Sequence, residues 1–81
     1  MPRADRVETF VSFYQPELLK AVAEKPADYF YGADAVPGVV ARMRAAFIAG
    51  SYNHSGLAVK RACKCVGIKH TRKAMEEFFN S

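Results

Sequence analysis

From Ala35 to Met75 the chain has no aspartate and no glutamate. That stretch carries eight basic residues: Arg42, Arg44, Lys60, Arg61, Lys64, Lys69, Arg72 and Lys73. The first 34 residues carry six acids and four bases, so a net charge of +4 conceals one strongly basic half. Basic charge concentrated in this way points to a polyanionic partner or an acidic protein surface. The bland reading is solubility, since a small domain commonly has a net charge of about 2–8.

Other absences narrow the field further. No apolar run approaches the ~20 residues that span a bilayer, so we expect no membrane partner. Met1-Pro2-Arg3-Ala4-Asp5 lacks the apolar segment of a secretory signal, which predicts a cytoplasmic protein. There are two cysteines, Cys63 and Cys65. On a helix they lie about 200° apart and cannot bridge each other. No disulfide framework follows, in keeping with a reducing compartment. Internal repeats, low-complexity stretches and linkers are also missing. What is present is 81 residues, half hydrophobic and a quarter charged, the composition of one globular domain. A chain this short buries only about 60% of its unfolded surface, so its core is small.

Turn signals divide the chain into four to five short helices, and we predict a compact all-α bundle. The first is Asp5 to Tyr14, with Val7, Phe10, Val11 and Tyr14 at helical spacing. Gln15-Pro16 breaks it, and Pro16 opens a second helix to about Glu24. Tyr29-Phe30-Tyr31 is too short and isolated for a sheet. It reads as a helical turn or a loop packing aromatics on the core, or alternatively as a platform for stacking bases. A third helix runs from Pro37 to about Ala49, with Val39, Val40, Met43, Ala46 and Phe47 on one face. Ser55 or Asn53 caps a fourth helix, Ser55 to Val66. Gly67 ends it, and Thr71 or a neighbour starts the last helix.

The fourth helix is the most informative. At 100° per residue from Leu57, the residues Ala58, Val59, Ala62, Cys63, Cys65 and Val66 cover an arc from about 80° to 240°. Lys60, Arg61 and Lys64 cover about 300° to 40°. One face is small and apolar, the other basic. With the helix that follows, residues 55–79 form a helix-turn-helix-like pair. Cys63 sits four before Gly67, where a small residue lets helices approach, and Lys69, His70, Arg72 and Lys73 decorate the start of the second helix. Cations there oppose the helix dipole, a conflict that phosphates relieve. The core positions of the usual motif fall on Lys73 and Glu76, so the turn is about one residue longer or the crossing angle differs. The competing structural reading pairs Arg72 with Glu76 and Lys73 with Glu77 at i,i+4, leaving Lys60, Arg61, Lys64 and Lys69 as unpaired charge.

Three other chemistries are weaker. Cys63, Cys65, His54 and His70 are four possible zinc ligands, but a Cys-x-Cys within an apolar helical face does not present both sulfurs to one ion. Both cysteines read better as small buried hydrophobes. His70 beside Thr71, with Cys63 nearby, suggests a base and a nucleophile. No orienting carboxylate or Gly-rich phosphate loop accompanies them, and we expect no enzyme, no metal and no cofactor. A protein-binding inhibitor would use the basic face or anchors among Tyr29, Tyr31, Tyr52 and Arg61. A homodimer through Phe78-Phe79 would help so small a core.

The segment KRACKCVGIKHTRKAMEEFF resembles the C-terminal part of small phage and prophage proteins, over about residues 38–79. In these, a cysteine-containing helix leads into a Gly-Ile-Lys-His-Thr turn and an amphipathic final helix. The resemblance implies a phage or mobile-element setting, where small basic helical proteins are DNA-binding regulators or inhibitors of host systems, anti-CRISPR-like proteins included. We therefore expect a nucleic-acid-binding regulator. Lys60, Arg61 and Lys64 would sit on phosphates, and Lys69, His70, Arg72 and Lys73 near the groove, with Arg72 the best placed for a base. The alternative is an inhibitor docking on an acidic host-protein surface.

Overall fold

In the computed structural model, which describes residues 2–80, Arg3–Glu24 form one continuous helix, α1. The expected break at Pro16 does not occur. Val7, Phe10, Tyr14, Leu18, Ala21 and Val22 are all buried and follow a single helical stripe through it. Burying such side chains is worth roughly 1.5–3 kcal/mol each. Several of them outweigh the ~3 kcal/mol that an interior proline costs through its missing N–H and the clash of its ring. Pro16 itself lies on the exposed side of the helix.

Two 3-10 turns, Pro26–Asp28 and Ala33–Ala35, lead into α2, Val36–Ile48. Val36, Val40 and Phe47 of α2 are buried, and Val39 and Met43 pack at the edge of the core. Between the 3-10 turns, Tyr29 and Tyr31 lie half-buried against the core, their rings 5.6 Å apart, while Phe30 is fully exposed.

Helix α3 is Leu57–Val66. Its N-cap is Gly56, with φ +91° and no side-chain cap, so the expected cap by Ser55 or Asn53 is not formed. Asn53 Oδ1 instead accepts hydrogen bonds from the backbone N–H and hydroxyl of Ser55, tying the loop to itself. The end of α3 matches expectation. Gly67 is left-handed at φ +79°. Its N–H donates to Lys64 O, and the N–H of Ile68 donates to Cys63 O. These are the two bonds of a Schellman ending, which glycine adopts without a Cβ penalty. Helix α4, Arg72–Asn80, starts at Thr71, whose hydroxyl accepts from the N–H of Ala74 at 3.1 Å.

Among the described residues the secondary structure is thus all helical, as predicted. The radius of gyration is 12.1 Å, near the ~11.7 Å of a compact chain of this length. Helix α1 is the common partner: α2, α3 and α4 all pack on it, and α3 and α4 share little contact with each other. The helix-turn-helix pairing is therefore not confirmed. Five residues, 67–71, separate α3 from α4, where the motif has about three or four. Both helices turn their apolar faces to α1.

The centre of the core is aromatic. Phe10 meets Phe47 and Phe79 edge-on, at 5.1 and 5.4 Å between ring centres, and Phe79 stacks on Tyr52 at 5.3 Å. Such offsets and edge contacts add about 0.5–1.5 kcal/mol per pair to area burial. Tyr52 is buried and so is not the surface anchor considered above. Its hydroxyl donates to Asn80 Oδ1 at 2.7 Å and accepts from Arg3 Nη2 at 2.5 Å. Phe79 is wholly buried and Phe78 half-buried. The terminal aromatic pair is thus spent on the core rather than presented as a dimer face.

Replacing Pro16 with Ala restores an N–H to the middle of α1. Urea unfolding of Pro16→Ala should show a gain of roughly 1–3 kcal/mol, the interior-proline cost less the loss of unfolded-chain restriction. A variant less stable than the parent would contradict an uninterrupted α1.

Candidate nucleic-acid interface

Helix α3 lays Ala58, Val59, Ala62 and Cys63 against α1 and turns Lys60 and Lys64 to solvent. Cys65, at the rim of the arc, is exposed, so only Cys63 is the buried small hydrophobe expected of both. Burial pushes the Cys63 thiol up to about 11. At neutral pH it is almost wholly protonated and shielded from reagents. The two sulfurs point to different environments, in keeping with their angular separation on the helix.

Arg61 is not the unpaired cation that the sequence reading made it. Its Nη2 donates to Glu24 Oε2 at 2.9 Å, and its Nε lies 3.9 Å from Glu17 Oε2. Glu17 and Glu24 are seven residues apart, two turns along one side of α1. The Arg61 hydrogen bond, helped by Lys20 and Lys25, holds the Glu24 carboxyl below its ordinary range and raises the Arg61 guanidinium in turn. The stabilisation is present above the unfolded carboxyl pKa and is lost as pH falls through the lowered folded value. Arg72 pairs with Glu76 at 3.1 Å, the i,i+4 contact foreseen for it. The companion pair Lys73–Glu77 does not form. Among the described residues Lys60, Lys64, Lys69 and Lys73 have no charged partner and are exposed.

The structure divides the predicted site residues. Lys60, Arg61, Lys64 and His70 meet around one groove of about 370 Å³, together with Leu57 and Ile68. Arg72, the candidate for base contact, instead borders a separate depression formed with residues 50–53. Lys69 and His70 belong to the connection between α3 and α4 rather than to the first turn of a reading helix. His70 is half-buried; its Nε2 is enclosed and has no hydrogen-bond partner among the described residues. The His54 ring lies 6.3 Å from that of His70.

Leu57 and Ile68 were missed as site residues. A signal for Leu57 was available: at 0° on the helical wheel it sits inside the basic arc of about 300° to 40°, where an apolar side chain has no core to join. Leu57 is 38% exposed. Ile68 carried no such signal, because its position depends on how the Gly67 turn folds back.

No protein-family model, curated protein or solved structure matches the chain. No helix among the described residues is long and apolar enough to cross a membrane.

A thiol reagent at pH 7.5 should modify one cysteine per native chain and two in urea, and Cys65→Ser should abolish the native reaction. Native reaction in that variant would show that Cys63 is not enclosed.

Proposed function

We propose that this protein binds nucleic acid through the basic surface of α3 and the connection that follows it, as a small regulator of phage or mobile-element type. One observation carries the reading: Lys60, Lys64, Lys69 and Lys73 are exposed and have no charged partner among the described residues. Meanwhile Arg44, Arg61 and Arg72 are each held by a glutamate. Unpaired ammonium groups attract phosphates and release their counterions on contact. The division of labour differs from a helix-turn-helix reader. Lys60 and Lys64 position the backbone of the ligand, whereas Arg72 would have to leave Glu76 before touching a base.

Four phosphate contacts give a salt slope of about −3 to −4 in log K against log salt, a loss of roughly a hundredfold between 50 and 200 mM. Anisotropy titrations of labelled oligonucleotides should show it. Lys60→Glu combined with Lys64→Glu should lower affinity by more than tenfold at 50 mM salt with unchanged circular dichroism, since both side chains lie outside the core. Absence of binding at low salt, or full binding by the double variant, would overturn the reading.

Glu24 supplies the converse test. Glu24→Gln frees the Arg61 guanidinium, so affinity should rise and the salt slope steepen by about 0.7–0.9. The thermal midpoint should barely move, because exposed ion pairs contribute little to stability. An unchanged slope would place Arg61 outside the contact surface.

A further inference from the structure

Among the described residues Phe30 is the large apolar side chain that stands wholly clear of the fold, at 106% exposure. Phe13, Leu19, Ile48 and Leu57 reach only 38–44%. Partly exposed apolar side chains are ordinary on a folded protein. A fully bared phenyl ring on a braced segment is not. Extended backbone at Tyr29, φ −125° and ψ 146°, sends successive side chains to opposite sides. Tyr29 and Tyr31 pack inward on the core, so Phe30 between them is held outward. The 3-10 turns Pro26–Asp28 and Ala33–Ala35 brace the segment on either side. An anchor presented in this way loses little freedom on binding.

The surroundings of Phe30 are acidic. Residues 26–36 carry Asp28 and Asp34 and no base. Both are exposed, and neither has an ion pair among the described residues.

The groove on the outer side of α3 has the opposite character. Leu57 and Ile68 give it an apolar floor, and Lys60 and Lys64 stand on its rim, one helical turn or ~6 Å apart along the axis. Long basic side chains cover apolar surface with their methylenes while their charged ends stay in water. Its volume of about 370 Å³ is at the lower end of the ~300–1,000 Å³ of small-molecule pockets, room for one aromatic side chain rather than a long segment. The two features are neighbours. Tyr29 and Tyr31 share a cavity with Leu57, and Leu57 also lines the groove.

An acidic peptide would fill the groove and leave Phe30 bare. An anionic membrane would accept Phe30 but repel Asp28 and Asp34, and nucleic acid would meet the same repulsion. A second copy of this chain satisfies both features at once. An apolar knob flanked by carboxylates, beside an apolar recess rimmed by ammonium groups, is self-complementary, as a twofold interface requires.

We infer that two copies of this protein pair reciprocally, Phe30 of each seated in the groove lined by Leu57, Lys60, Lys64 and Ile68 of the other. Asp28 and Asp34 then face Lys60 and Lys64, and the two equivalent contacts close the pair. The pairing does not rest on the nucleic-acid reading, and its test is run without nucleic acid, so either can fail alone.

Two aromatic anchors make a small interface of the weak class. Sedimentation equilibrium should therefore show monomer passing to dimer, and no further, between about 10 μM and 1 mM. Phe30→Ser, at a wholly exposed position, should weaken pairing at least ~30-fold, the loss at a binding hot spot, with unchanged circular dichroism. Asp28→Lys with Asp34→Lys should stay monomeric, and so should Lys60→Glu with Lys64→Glu, because like charges then meet at both contacts. An equimolar mixture of these two double variants should dimerise, since each contact again joins opposite charges. A parent chain still monomeric at 1 mM overturns the pairing. Full association of Phe30→Ser, or a mixture that stays monomeric, overturns the assignment to these surfaces. Growth beyond the dimer overturns the reciprocal arrangement.

Discussion

Phe10 is the contact on which the arrangement turns. Its ring lies against Tyr14 of its own helix, Phe47 of α2 and Phe79 of α4. Phe79 in turn stacks on Tyr52 of the loop before α3. A chain of this size has few large side chains to bury, and here most of the aromatic volume converges on one point of α1. The other helices are placed by their distance from that point. Helix α3 takes the remaining length of α1 with small residues, Ala58, Ala62 and Cys63, which allow close approach. Its lysines are consequently directed away from α1.

The two halves of the charge pattern are connected through the same helix pair. Glu17 and Glu24 of α1 reach Arg61 across the α1–α3 contact and remove it from the free basic surface. Glu8 does the same for Arg44 of α2. The glutamate set of α1 therefore acts as a selector. It quenches arginines that face α1 and leaves the lysines that do not. What remains is a smaller positive surface than composition suggests: Lys60, Lys64, Lys69 and Lys73 around α3 and the residues after it, with Arg42 exposed on α2.

The helical class and most core positions were legible because they depend on near neighbours. Val7, Phe10 and Tyr14 announce one face, and Gly67 announces a left-handed ending whose bonds then appear at Cys63 and Lys64. Pro16 misled because a local rule was opposed by a stripe running on to Val22. Cys65 misled because a wheel gives angles but not the width of the facing surface. Arg61 misled for a different reason: its partner Glu24 is 37 residues away, and no local pattern records which acid a folded chain will bring near. The groove shares that limit. Leu57 stood out within its own helix, but Ile68 and His70 join it only through the path of the turn.

The bonds between α1 and α4 carry a kinetic meaning. Arg6 Nη1 donates to the carbonyl of Phe78 across 72 residues, and Arg3 reaches Asn80 through the Tyr52 hydroxyl. Closing a loop of that size must be met in chain entropy before any of these contacts forms, although the cost grows only slowly with length. Hydrogen bonding within each helix is local, a pattern that favours rapid folding, but α1 packs on α3 and α4 across more than thirty residues of intervening chain. The aromatic centre is the extreme case, because Phe79 belongs to α4. A nascent chain emerging from the ribosome can coil α1 early, yet Phe10 has no complete set of neighbours until α4 has been synthesised. Until then the Phe10 end of the apolar stripe, which runs about four turns from Val7 to Val22, lacks its cover from α4.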